Sequence, residues 1–351
     1  MKSILLSASI LCCVSANANQ YLYEEYSNNF DHFPFPPLQN WAINNSDQYF
    51  ADELFPGRGD VLVGIKAALI SMIAQYDSGS WPTIEVNYNN NTMFSGLWTT
   101  GPVDKYVTGD YTGNGQAEIL AMRPYGLSTT IQANTNGTPY FWQALQISGN
   151  ETTTIDALLS GDFNGSGKDE VLLIQPSYGT AATMSLHQQP FAWQTINWIS
   201  GGQISLWPIG VNDRYVVGDF NDDGQDELLA INANGTTATL RFVNNQWTIL
   251  TNTAGGFLGQ WNVTTPNTEY VVIDFDKDGK DEVIAINPHT GWSHILSMAT
   301  SGIPQWQSVK DNDGTGLLAK DVKIGVGDIY LEFNHQLLKL NSNGQVALLK
   351  L

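Results

Sequence analysis

Cysteine is almost missing from this chain: its 351 residues hold two, Cys12 and Cys13, side by side. Both fall in the opening MKSILLSASILCCVSANA, where Lys2, an apolar stretch over 4–14 and the triplet Ala16-Asn17-Ala18 read as a secretory signal peptide of residues 1–18. Without that leader, residues 19–351 carry no thiol. The mature chain is expected to be exported, secreted or periplasmic, yet it can form no disulfide, so its stability is expected from core burial, with bound metal as a further source. Cationic residues are scarce as well: 15 Lys and Arg face 34 Asp and Glu, a formal charge of −19. A surface of that sign repels phosphate backbones and anionic headgroups, which excludes nucleic acid as a partner. No later run reaches the ~18 apolar residues of a membrane span, so no membrane insertion is expected. Catalytic signatures are also absent. There is no Gly-x-Ser-x-Gly elbow, no phosphate-binding Walker loop and no metal-ligand spacing among His32, His187, His289, His294 and His335. No catalytic residue is assigned.

Aromatics, by contrast, are plentiful, with 11 Trp, 14 Tyr and 14 Phe, so the acidity does not signal disorder. One segment recurs: YVTGDYTGNGQAEILAM, LLSGDFNGSGKDEVLLI, VVGDFNDDGQDELLAIN and VVIDFDKDGKDEVIAIN, aligned on Asp110, Asp162, Asp219 and Asp274. Two worn copies extend the series and place Asp52 and Asp328 in the same slot, with anchors 58, 52, 57, 55 and 54 residues apart. Each unit holds four runs of strand length punctuated by turn residues, and only 61–76 hints at a helical period. Four antiparallel strands repeated radially make a β-propeller blade. The expected fold is therefore all-β: one propeller domain over 19–351, of six blades. A seven-bladed alternative would hide an extra blade in 61–105. The last unit runs out after its third strand, and PLQNWAIN at 37–44 resembles a fourth, so an N-terminal strand is expected to close the last blade.

The alternating oxygens of these loops suit calcium, which takes six to eight oxygen ligands. Positions 1, 3, 5 and 9 offer side chains, position 6 a turn glycine and position 7 a carbonyl. The candidate ligands are Asp274, Asp276, Asp278, Lys280 and Glu282, then Asp219, Asn221, Asp223, Gln225 and Glu227. The third set is Asp162, Asn164, Ser166, Lys168 and Glu170, and the fourth is Asp110, Thr112, Asn114, Gln116 and Glu118. The residue named at position 7 acts through its carbonyl. Carboxylates fall from four to three, two and two in that order, and affinity is expected to follow, with two to four sites filled. A metal-free hairpin held by Asx turns is the alternative. Asp169, Asp226 and Asp281, beside the closing Glu, read as outer-shell or solvent-facing.

The motif GDFNDDGQDELL resembles the FG-GAP/VCBS repeat of integrin α-subunit propellers and many secreted bacterial proteins and lectins. The resemblance spans about residues 45–351 and implies calcium loops whose closing Glu at position 9 begins a strand. It departs in the first and last units, which have lost oxygen ligands. Arg58-Gly59-Asp60 spells an integrin-recognition tripeptide, but in register it is a decayed loop.

A Trp precedes the anchor by 11 to 13 residues in four units: Trp41, Trp98, Trp207 and Trp261. These lie near the connections that share a face with the turns bearing Tyr125, Tyr178, His289 and Trp292. Such rings are candidate ligand-binding residues for a sugar or a peptide, and packing between blades is their other reading. The function expected is recognition of an extracellular glycan opposite the calcium loops. The alternatives are a protein-binding or adhesion module, as the integrin resemblance implies, and a polysaccharide hydrolase or lyase whose site is assembled from distant blades.

Overall fold

A computed structural model describes residues 28–29, 47–55, 57, 59–66, 70–75, 83–87, 92–93, 98–99, 101, 103–124, 126–134, 141–151, 156–188, 191–274, 276–299, 304–309, 327–340 and 345–349. They are all-β apart from one 3-10 turn, Pro176–Tyr178, and no helix among them is long and apolar enough to cross a membrane. Residues 1–18, the expected signal peptide, and the stretch 37–44 lie outside the described residues.

The described residues form six four-stranded antiparallel sheets and three two-stranded ribbons. The first sheet comprises Gln48–Asp52, Val61–Lys66, Ile70–Gln75 and Thr83–Asn87; the second, Lys105–Gly109, Glu118–Met122, Gly126–Asn134 and Phe141–Glu151. The third runs Ala157–Gly161, Glu170–Gln175, Thr180–Gln188 and Phe191–Ile199, and the fourth Arg214–Gly218, Glu227–Ile231, Thr237–Val243 and Gln246–Thr253. The fifth is Glu269–Ile273, Glu282–Asn287, Trp292–Ala299 and Gln305–Ser308. The sixth takes Ile329–Glu332, Leu337–Leu340 and Gln345–Leu349 and is completed by Asn28–Asn29, which pairs with Gln345 and Val346. Each first strand neighbours the next, and the sixth neighbours the first. The arrangement is a β-propeller.

The second strands explain why the repeat reads as an unbroken apolar run. Glu118–Met122 is buried throughout, because alternate side chains serve two interfaces. Ile119 and Ala121 pack with Leu54, Val61 and Val63 of the first sheet. Leu120 and Met122 face the other way, onto Val171 and Leu173 of the third. Each such side chain stabilises by about 1.5–3 kcal/mol relative to exposure. A second set of indoles locks the interfaces. Trp193, Trp247 and Trp306, on fourth strands, meet Tyr111, Phe163 and Phe220 of the preceding sheet edge-on, with centroids 5.1, 5.0 and 5.0 Å apart. Their Nε1–H groups donate to Thr130, Thr183 and Thr239 of that same preceding sheet.

Three expectations need correction. Asp52 pairs with Val61 as Gly109 pairs with Glu118, so Glu53, not Asp52, opens the first loop. In the sixth sheet Glu332 pairs with Leu337, leaving a short turn at 333–336 opened by Phe333. Asp328 instead precedes the first strand and pairs with Lys339 at 3.3 Å. The hint of helix at 61–76 gives way to the strands Val61–Lys66 and Ile70–Gln75. The described part of 61–105 is spent on those strands, on Thr83–Asn87 and on the ribbon Thr92–Met93/Trp98–Thr99.

Candidate functional site

The acidic loops join first and second strands on one face of the ring. In each, the position-1 carboxylate accepts from the loop's own backbone. Asp110 accepts from Gly113, Asn114 and Gly115, Asp162 from Ser166 and Gly167. Asp219 accepts from Asp223 and Gly224, and Asp274 from Asp278 and Gly279. Position 6 is left-handed as expected, at Gly115, Gly167, Gly224 and Gly279, and position 4 is left-handed too, at Gly113, Gly165, Asp222 and Lys277. Gln116 turns its side chain inward, donating to the carbonyls of Leu54 and Ala133 at 2.9 and 2.7 Å. Asn114 Oδ1 and Asp223 Oδ1 accept from the position-7 amides of Gln116 and Gln225, as Asp278 Oδ1 does from Lys280. The Lys168 ammonium reaches away to the Leu186 carbonyl at 3.0 Å.

The closing glutamates are buried, and they test whether a cation fits. Burial first, with the loop carboxylates adding, raises Glu118 to about 7, Glu170 to about 8, Glu227 to about 9 and Glu282 to about 8. In three loops position 3 partly answers this by donating to the glutamate: Thr112 to Glu118, Asn164 to Glu170 and Asn221 to Glu227. Asp276 cannot donate. Its carboxylate and those of Asp274 and Glu282 each offer an oxygen within 4.8 Å of the others. Glu170 Oε2 and Glu282 Oε2 are buried without a hydrogen-bond partner, a state that costs about 1–3 kcal/mol or more unless something supplies positive charge. The residues present therefore fit a cation, most clearly in the Asp274 and Asp162 loops.

Asp169, Asp226 and Asp281 are not solvent-facing. Each reaches the preceding loop, where one oxygen accepts the position-1 N–H: Asp169 from Asp110 at 2.8 Å, Asp226 from Asp162 at 2.7 Å and Asp281 from Asp219 at 3.0 Å. The reciprocal bonds, from their own N–H to the same residue's carbonyl, are 3.0, 3.0 and 2.9 Å. The signal was in the sequence as the Gly before Asp110, Asp162 and Asp219. A Cβ at Gly109, Gly161 or Gly218 would lie 2.5, 2.6 or 2.7 Å from the gripping oxygen. In the worn first loop Asp60 bonds reciprocally with Asn334 across the closure of the ring.

The opposite face carries the second-to-third turns and the ribbons. In two ribbons a glycine lies against a turn glycine: Gly202 donates to the Gly179 carbonyl at 2.8 Å and Gly256 to that of Gly235 at 2.9 Å. A Cβ on Gly235 would meet Gly256 Cα at 2.8 Å, so only glycine allows this approach. The ribbons turn three of the expected ligand-binding indoles inward. Trp98, Trp207 and Trp261 are buried among residues of adjoining sheets, which removes them from a ligand platform. Trp98 and Trp207 donate to Asp104 and Asp213 at 3.0 and 3.1 Å. Trp41 and Tyr125 lie outside the described residues. Tyr178 and Trp292, 55% and 59% exposed, do stand on this face, with Leu206, Val211 and Phe257.

Two cavities open there. One, of about 600 Å3, lies where first strands begin and is lined by Asp47, Tyr49, Tyr106, Arg214, Asn267, Glu269, His289 and Asp328 among others. Its neighbour, of about 520 Å3, holds Asn212, Asp213, Asn232, Thr264 and Thr265 and shares Arg214 and Asn267 with the first. Burial raises Glu269 to about 6 against the pull of Arg214. A third cavity, about 470 Å3, opens on the acidic face between Glu53, Asp60, Asp274, Asp281, Glu332 and His335. The sequence pointed to His289 but not to Arg214, whose place depends on how distant strand ends converge.

No protein-family model matches the chain, and no curated protein does. Among solved structures it is similar to an Agrocybe aegerita lectin described as recognising non-reducing terminal N-acetylglucosamine (13% identity, 87% of this chain and 80% of that one, TM-score 0.48). It is also similar to the SapL1 lectin in complex with α-methyl fucoside (14% identity, 76% and 79%, TM-score 0.44). A putative 6-phosphogluconolactonase from Bacteroides fragilis is a further likeness (13% identity, 73% and 67%, TM-score 0.41). None is near enough to transfer a ligand.

Proposed function

We propose that this chain is an exported six-bladed propeller of FG-GAP/VCBS type, with calcium in its acidic loops, that binds an extracellular glycan on the ribbon face. The observation that carries the glycan reading is the pair of adjacent cavities that share Arg214 and Asn267 in their walls. Their amides, hydroxyls, carboxylates and guanidinium converge as hydrogen-bonding partners for sugar hydroxyls, and Tyr49 and Tyr106 add aromatic surface. For calcium, the support is the convergence of Asp274, Asp276 and Glu282 and the unpartnered oxygens of Glu170 and Glu282. Asp274, Asp276 and Glu282, with Asp278 and the Lys280 carbonyl, would hold the ion, which when bound adds positive charge beside Glu282 beyond that of the Lys280 ammonium at 3.9 Å. For six blades, the support is six four-stranded sheets whose first strands neighbour one another in a cycle.

A protein partner is the second reading, favoured by the exposed Leu206, Val211 and Phe257. A glycan array probed with the mature protein, in calcium and in chelator, separates the two. Saturable binding to a defined sugar, competed by that sugar in solution, is expected. An array blank in both conditions would sink the glycan reading.

A further inference from the structure

We propose that Asp281, Asp226 and Asp169 are positioning residues that join the four acidic loops into one directional, cooperative calcium-binding chain. This rests on the calcium reading above. In that reading positions 7 and 9 both face the ion, so closing a loop fixes position 8 between them. Position 8 is the residue that holds the neighbouring loop: its carboxylate accepts the position-1 N–H there, and its own N–H donates to the position-1 carbonyl. Position 1 is the residue whose carboxylate opens the ligand set. Two hydrogen bonds thus fix the backbone from which each first ligand hangs, and the hand that fixes it belongs to the next loop along the chain.

The pairing is built in by composition. Gly109, Gly161 and Gly218 leave the space that the gripping carboxylate fills. Where the following sheet offers no such acid, the glycine is gone. Ile273 precedes Asp274, and the sixth sheet has only the short turn 333–336. Asp52 stands in the glycine slot of the first loop, and the second loop presents Ala117 there, keeping only the backbone bond to the Glu53 carbonyl at 3.1 Å. From the first loop to the fifth, acid and glycine appear and vanish together; at the closure Asp60 reaches Asn334 instead, and Glu332 fills the glycine slot.

The grip has a direction. The Asp274 loop has the most carboxylates and needs no help from a following acid, so it closes first. Through Asp281 it orders the Asp219 loop, which through Asp226 orders the Asp162 loop, which through Asp169 orders the Asp110 loop. The two loops with the fewest ligand carboxylates, those of Asp162 and Asp110, are the last two to be ordered.

Hydrogen–deuterium exchange of the full chain, followed by mass spectrometry of peptides covering each loop during a calcium titration, tests this. The Asp274 loop is expected to gain protection at the lowest calcium. Asp281→Ala is expected to raise the calcium midpoint of the Asp219 loop about tenfold, the loss of one charge-assisted hydrogen bond, while the Asp274 midpoint stays within about twofold. Asp281→Asn, which keeps an acceptor for the Asp219 N–H, is expected to restore most of the shift, and Gly218→Ala to reproduce it. Unmoved Asp219-loop midpoints in both Asp281→Ala and Gly218→Ala would overturn the coupling while leaving calcium binding intact. Exchange indifferent to calcium in every loop would overturn the calcium reading itself, and the coupling with it.

Discussion

The two faces of this propeller are built on opposite plans. On the acidic face one loop is written four times, with the position-5 and position-6 N–H groups donating to the position-1 carboxylate and the same left-handed positions. On the ribbon face the two described ribbon tips share a backbone plan but not their residues: Ser205 and Leu206 turn one ribbon, Gly259 and Gln260 the other. Repetition reports what every blade needs, which is a fixed hairpin and a hold on its neighbour. Variation marks where one place on the ring differs from the others, and a ligand needs such a place.

Removing the ion should separate the faces most strongly. Each filled site stabilises by about 2.7 kcal/mol at about a hundredfold excess over its dissociation constant, so chelation is expected to lower Tm on the order of 10 °C. Asp274→Ala should shrink that difference. The closing glutamates sit above their ordinary value, at about 7 to 9, so the metal-free fold keeps their protons. Its stability is fullest below about pH 4.5 and is lost as pH rises through that range. The chelation difference should therefore be larger at pH 8 than at pH 5, and calorimetry at both values reads it. A difference that shrinks toward alkaline pH would contradict the account.

Next in size is a contrast within the fourth strands. Trp247→Ala, which empties a buried interface, should cost about 3–5 kcal/mol in denaturant unfolding. Trp198→Ala, at a 57% exposed site on the ribbon side of the preceding blade, should stay within about 0.5 kcal/mol. Smallest on stability and largest on binding is Arg214→Ala. It is expected to abolish array signal, with the calcium-dependent melting of the acidic face unchanged; a variant that binds as the parent does would move the site away from the adjacent cavities.

The architecture was legible because it is written in multiples. Turn glycines, the closing Glu and the apolar second strands each recur, and a decayed copy is still recognisable by its neighbours. Single features were harder. Asp52 and Asp328 look like loop anchors in the sequence, but strand pairing moves one by a residue and makes the other an ion-pair partner of Lys339. Three tryptophans near the connections are buried, because a ribbon two residues wide can turn either way and composition does not say which. The acid at position 8 stood in plain view, but its partner lies over fifty residues upstream. Only the missing Cβ at Gly109, Gly161 and Gly218 betrays it.

The sixth sheet has one more consequence. Its outer strand comes from Asn28–Asn29 and its neighbour from Gln345–Leu349, so the circle is sealed by segments at far ends of the chain. Local hairpins can form early, but the seal pays the entropy of the longest loop in the molecule and must come late. Until it does, the sixth sheet keeps an unpaired edge that could recruit a strand from another chain. For a protein whose two cysteines, Cys12 and Cys13, lie outside every sheet, the vulnerable interval is the one between finishing the blades and fastening the belt.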